Sequence, residues 1–170
     1  MEEDISIINS NTRSEKLKNF IIKNKNKLII ILLMTVLLIF GYFAFKEYES
    51  SKKTKIAEKY NQASVEYFLG DEIKSKKELI EIINYKDSTY SPLALYFLID
   101  NKIEISTEET NQYFDVLIEN NKIDKEIRNL IIYKKALFNA NESDENQLLE
   151  ILKPIINSES VWKTHSLYLM

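Results

Sequence analysis

Hydrophobic and polar positions alternate in three different ways along this chain, and each pattern predicts a different kind of element. Residues 1–14 are polar, rich in Asn and Ser, and predict no packed element. Residues 15–27 set Leu17, Phe20 and Ile21 on one side of a lysine-rich run, which predicts a short interfacial helix. From Leu28 to Phe45, eighteen consecutive residues carry no charge, fenced by Lys27 and Lys46. As an α-helix that run covers about 27 Å, close to the ~30 Å hydrocarbon core of a bilayer. Ile29 to Leu33 and Val36 to Phe40 are apolar all the way round, and no other segment is suited to wrap them. An uncleaved transmembrane helix over residues 28–45 is therefore expected, with Leu28, Leu33, Leu38 and Phe45 among its anchoring side chains. A cleaved signal peptide has an apolar core of only about 7–15 residues and small residues before the cut. Tyr42 to Lys46 offers no such site. Tyr42, Phe43, Phe45 and Tyr48 cluster at the exit end, where aromatic rings favour the headgroup zone.

After Lys46 the period changes to that of amphipathic helices, with no strand signal. Glu47 to Phe68 continues helically, and Ile56, Tyr60, Ala63, Tyr67 and Phe68 form one stripe at three- and four-residue steps. Gly70-Asp71 breaks it, and a second helix carries Ile73, Leu79, Ile80, Ile82 and Ile83. Ser91 then reads as an N-cap and Pro92 as a first helical residue. The helix they open, Leu93 to Asn101, is expected to bury Leu93, Ala94, Phe97 and Leu98. Ser106 and Glu109 form a capping box for a helix with Tyr113, Phe114, Leu117 and Ile118, ended by Asn120-Asn121. Asp124 caps a helix to about Asn139. Ser143 or Asp144 opens the next, which Pro154 is expected to stop. A last helix is expected near Ser160, with Val161, Trp162, His165, Tyr168 and Leu169.

These helices pair through short turns, and pair starts at Pro92, Glu126 and Ser160 are 34 residues apart each time. That is the tetratricopeptide (TPR) period. The expected fold is all-α: a single N-terminal transmembrane helix followed by a TPR-like α-solenoid of antiparallel helix pairs over residues 46–170. The competing expectation is an irregular antiparallel bundle. Terminal repeats normally carry a polar cap. An apolar final face with Trp162 and Leu169 predicts either a docked partner or further repeats beyond Met170, the latter being favoured.

Charge sharpens this organisation. The net charge is −3, but residues 1–27 sum to +2 and residues 46–170 to −5. An acidic outer domain argues against nucleic acid, whose binding is driven by phosphate neutralisation. The leading flank carries Arg13, Lys16, Lys18, Lys23, Lys25 and Lys27, against Lys46, Lys52, Lys53, Lys55 and Lys59 behind. Lys23, Lys25 and Lys27 crowd the bilayer more closely than most of the trailing lysines, which predicts a cytoplasmic N-terminus and an external domain. The same triplet suits anionic headgroups.

Candidate chemistry is sparse. Cysteine is absent, so there is no thiolate and no disulfide, and the only glycines are Gly41 and Gly70. A Gly-rich phosphate loop or nucleophile elbow is excluded. His165 is the only histidine, so no metal site is expected. Glu108-Glu109 suit a helix dipole better than a catalytic pair, and Arg128, four residues after Asp124, predicts an intrahelical ion pair. No enzyme activity and no cofactor are expected. What remains is binding, in a groove lined by the first helix of each pair, starting near residues 55, 92, 125 and 160. Tyr96, Asp100, Asn129 and Tyr133 are the candidate groove residues, each equally open to a packing role.

Several short motifs recur in one order. They are Glu2-Glu3-Asp4 before a basic approach, the aromatic-ended anchor, Ala57-Glu58-Lys59-Tyr60-Asn61-Gln62-Ala63, Gly70, Tyr90-Ser91-Pro92-Leu93-Ala94-Leu95, Leu152-Lys153-Pro154 and Trp162-Lys163-Thr164-His165. In this order the chain resembles the YfgM-type family of ancillary subunits of the SecYEG translocon. The resemblance implies a type II inner-membrane protein with a periplasmic TPR-like domain. It also implies association with Sec translocon subunits and periplasmic chaperones, and no catalytic residues. Related TPR domains occur in a cell-division coordinator, so a scaffold for envelope or division assembly is the alternative. A sensor or enzyme accessory binding a small ligand is a further one, which a deep polar pocket would favour.

Overall fold

The structure, a computed structural model, describes residues 15–170. The polar head, with Glu2, Glu3, Asp4 and Arg13, lies outside the described residues. Among the described residues there are eight helices and no strand. They are α1 (residues 15–23), α2 (Lys25–Phe68), α3 (Glu72–Asn84), α4 (Tyr90–Asp100), α5 (Thr107–Ile118), α6 (Lys125–Asn139), α7 (Glu145–Ile156) and α8 (Lys163–Leu169). The chain divides into two compact units after Ser51.

The first unit holds α1 and the leading part of α2. Its apolar run is long enough to cross a membrane, and among the described residues none of that window is buried. Leu28, Leu33, Leu38 and Phe45 are all exposed. The Thr35 hydroxyl donates to the Ile31 carbonyl at 2.9 Å, so the polar side chain in this stretch is satisfied within the helix.

The second unit is a succession of helical hairpins. At the end of α2, Gly70 adopts φ +91°, its N–H bonds the Tyr67 carbonyl, and the Asp71 N–H bonds the Glu66 carbonyl. This pair of bonds is a Schellman stop, which glycine permits without steric cost. Asp71 then turns its carboxylate to the Lys74 N–H at 3.1 Å and caps α3. The same stop recurs after α4 with Lys102 at φ 53° in the glycine position, and buried Ile103 completing it. Ser106–Glu109 and Asp144–Gln147 close capping boxes at α5 and α7.

Two buried clusters result. The larger joins Leu79, Ile82 and Ile83 of α3 to Leu95 and Leu98 of α4, Phe114 and Leu117 of α5, and Ile131 of α6. The smaller gathers Ile132 and Ala136 of α6 with Leu148, Leu152 and Ile155 of α7. Ile131 and Ile132 thus divide α6 between the two.

Several expectations are corrected. α4 begins at Tyr90, so Ser91 lies inside its first turn and does not cap it. The Asp87 carboxylate accepts from the Thr89 and Tyr90 N–H groups at 2.9 and 2.8 Å and takes that role. The buried Ser91 hydroxyl instead donates to the Ile82 carbonyl at 2.6 Å and accepts from the Asp87 N–H at 2.8 Å. Leu93 is exposed and Leu95 takes its place in the core. Pro154 does not stop α7, which runs two residues further to Ile156. Its ring lies on the exposed side, while Leu152 and Ile155 on either side are fully buried and hold the last turn. Arg128 pairs with no carboxylate among the described residues. Its guanidinium donates to the carbonyls of Asn120 and Ile123 at 3.1 and 3.2 Å, closing the α5–α6 turn. α8 starts at Lys163, after a turn held by Ser160. Trp162 and Leu169 are not left bare but pack on the smaller cluster; the exposed apolar side chains there are Val161, Leu167, Tyr168 and Met170.

Candidate peptide-binding cleft

The even-numbered helices of the second unit meet one another through aromatic side chains. On α2 and α4, Phe97 receives the edges of Tyr60, Tyr67 and Phe68 at centroid distances of 6.2, 5.5 and 6.2 Å. Between α4 and α6, the Lys134 ammonium lies 4.5 Å from the centre of the Tyr96 ring. Between α6 and α8, Tyr133 stacks on Trp162 at 5.8 Å with an interplanar angle of 23°, and meets His165 edge-on at 6.1 Å. Such rings offer large contact area at small entropic cost.

A cleft of about 250 Å³ opens along this series, with Tyr96, Ile99 and Asp100 on α4, Phe114 on α5, and Lys134 and Phe138 on α6. Its lining mixes apolar side chains with charges of opposite sign, Asp100 from one helix and Lys134 from the other. A half-buried tyrosine under a lysine is held in place by both burial and the cation–π contact. The Tyr96 hydroxyl is buried with no hydrogen-bond partner. Burial first, and the Asp100 charge second, push its pKa well above the ordinary tyrosine value. It is therefore a neutral donor at physiological pH. A second recess of similar size, between the α4–α5 turn and Phe138, shares Ile99 and Phe138 with the first.

Of the four groove candidates, the structure brings Tyr96 and Asp100 together in this cleft and leaves the other two elsewhere. Asn129 is buried, its amide 3.5 Å from the Glu126 carboxylate, so it packs inside α6. Tyr133 is committed to the Trp162 stack. Lys134, Phe114 and Phe138 were not legible as cleft residues, because a helical stripe of aromatics gives the same pattern whether it faces a core or a groove. Spacing did hold one clue: Tyr96 and Ile99–Asp100 occupy a three- to four-residue step on α4, as Lys134 and Phe138 do on α6. His165 is exposed, and among the described residues no cluster of three or more metal-ligating side chains occurs.

Three hydrogen bonds tie positions 34 residues apart. The Tyr67 hydroxyl donates to the Asn101 carbonyl at 3.3 Å. The Asn120 amide donates to the Lys86 carbonyl at 2.8 Å. The Ser160 hydroxyl donates to the Glu126 carboxylate at 2.8 Å. Set against known protein families, curated proteins and solved structures, the chain has no match.

Proposed function

We propose that this chain is a membrane-anchored adaptor with a TPR-like solenoid, which binds partner polypeptides beside a protein-export channel. The observation that carries the proposal is the recurrence of a 34-residue bridge at three places, downstream of an unburied apolar helix. Two of these bonds join the α2–α3 hairpin to α4–α5 and the third joins α6 to the turn before α8, each linking positions one TPR interval of 34 apart, as stacked units would. Single side-chain contacts run α2 to α4, α4 to α6 and α6 to α8, and α3 lies against α5, which suits two layers of such a stack.

The anchor is α2 through its apolar run, in a bacterial inner membrane, with the N-terminus in the cytoplasm and the helical domain in the periplasm. The lysines ahead of the anchor and the likeness to YfgM-type subunits support that orientation. The partners are Sec translocon subunits and periplasmic chaperones, and the cleft at Tyr96 receives apolar side chains of a partner segment. Tethering raises the local concentration of the cleft near the channel exit, so weak contacts suffice. The protein works by binding and performs no chemistry.

A photo-crosslinking residue in place of Tyr96, in cells expressing the full chain at native level, tests this. Channel subunits or periplasmic chaperones are the expected adducts. Division or envelope-assembly proteins in their place would establish the scaffold alternative and refute the export assignment.

A further inference from the structure

α1 carries a feature that the anchor alone does not require. Residues 15–23 are helical, Asn24 is a turn, and α2 starts at Lys25. The helical register survives this turn: the Asn24 N–H bonds the Phe20 carbonyl at 3.0 Å, and the Leu28 N–H bonds the Asn24 carbonyl at 2.9 Å. The Asn24 side-chain amide adds a second bond to the Phe20 carbonyl at 2.9 Å. With the register continuous, residues seven and four apart share a face. Leu17, Phe20, Ile21 and Leu28 therefore form one apolar strip. Lys16, Lys23 and Lys27 line one side of it, and Lys18 and Lys25 the other. Glu15, Asn19 and Asn26 lie opposite the strip, with exposed Ile22 beside them.

All five lysines are exposed, and none forms an ion pair with another described residue. Leu17, Phe20 and Ile21 are each more than half exposed, so no other described residue covers the strip. An apolar strip bordered on both sides by lysines is the arrangement in which long aliphatic stems cover apolar surface while their ammonium groups reach outward. The residues after Lys27 already supply enough length for the hydrocarbon core, so α1 falls in the headgroup zone whichever side of the membrane it occupies.

We propose that α1 with the first turn of α2 is a seat for anionic phospholipid headgroups. The strip of Leu17, Phe20 and Ile21 enters the acyl boundary, and the two lysine rows bind phosphates to either side. Charge complementarity selects an acidic leaflet over a protein surface, since Glu15 is the only acid in the segment. Continuity with the anchor supplies proximity. Lys16 and Lys18 join the seat with the nearer triplet, and the helix sorts all five into two rows. The inference rests on the proposed anchoring of α2, but on neither its orientation nor its partners.

The chain lacks cysteine, so single labels are placed cleanly. Full-length protein carrying an environment-sensitive fluorophore at Ile21→Cys, Asn19→Cys or Leu38→Cys is reconstituted in phosphatidylcholine nanodiscs with and without phosphatidylglycerol. The Leu38→Cys label should report hydrocarbon in both lipids. The Ile21→Cys label should shift to the blue only with phosphatidylglycerol, reversibly with salt, while the Asn19→Cys label stays aqueous. Each Lys→Gln change within the five should weaken the response to phosphatidylglycerol by about fivefold at low salt. An Ile21→Cys signal indifferent to phosphatidylglycerol, or matched by Asn19→Cys, overturns the headgroup seat and leaves the anchor standing. An aqueous Leu38→Cys signal overturns the anchor and the seat with it. A blue shift at Ile21→Cys in detergent that appears only on adding a soluble protein fraction assigns the strip to a protein and refutes the lipid reading.

Discussion

Single residues decide how tightly the hairpin turns close. Lys102 holds φ 53° where its counterpart Gly70 stops α2 with the same bonds, so a side chain occupies a left-handed position. Lys102→Gly should raise the stability of the full chain in detergent by about 0.5–1 kcal/mol, the left-handed strain outweighing the added freedom of the unfolded chain. Thermal unfolding followed by far-UV circular dichroism measures it, and a lower midpoint contradicts the stop described here. Glu66 offers a pH test. The hydrogen bond from Lys74 holds its carboxyl below the usual 4.5, opposed by desolvation. A depressed carboxylate contributes stability that is complete above the unfolded value and is lost as pH falls through the folded one. Between neutral pH and about pH 3, the wild type should therefore lose more stability than Glu66→Gln. Equal losses would show that the pair does not matter to the fold. The sequence announces Gly70 and the Ser106–Glu109 box, whose geometry is local. It conceals Lys102, because nothing in a lysine signals positive φ, and it misleads at Ser91, whose partner carbonyl lies on α3.

At the scale of elements, periodicity located the helices of the second unit, since each buries one stripe. Their ends were read well where a cap sits beside them in sequence and poorly where packing extends them. α7 is the clearest case: proline removes the amide that would bond the Glu150 carbonyl, yet buried Leu152 and Ile155 carry the helix on to Ile156. Pro154→Ala should accordingly stabilise the chain by about 1 kcal/mol in a urea titration, the restored bond exceeding the entropy returned to the unfolded state. A loss would mean that the proline ring packs better than its exposed position implies. The cleft was half legible. Tyr96 and Asp100 share a face of α4 in any helix, but Lys134 joins them only through the α4–α6 approach, which no local pattern encodes.

At the scale of the molecule, two features matter most: an apolar helix unburied among the described residues, and hydrogen bonds that span 34 residues. The first was legible in eighteen consecutive uncharged residues, and among the described residues that window is unburied. The first helices of the pairs start at Tyr90, Lys125 and Lys163, so the even spacing of 34 expected from the sequence is not kept. The bridging side chains Tyr67, Asn120 and Ser160 left no sign in it either, since polar side chains bonding distant carbonyls or carboxylates leave no periodic trace. Everything proposed about partners depends on the chain residing in lipid. Alkaline carbonate extraction of cell envelopes, followed by immunodetection of the full-length chain, tests that dependence most directly. The chain should remain with the pelleted bilayer; recovery in the carbonate supernatant would contradict the anchor and, with it, the adaptor.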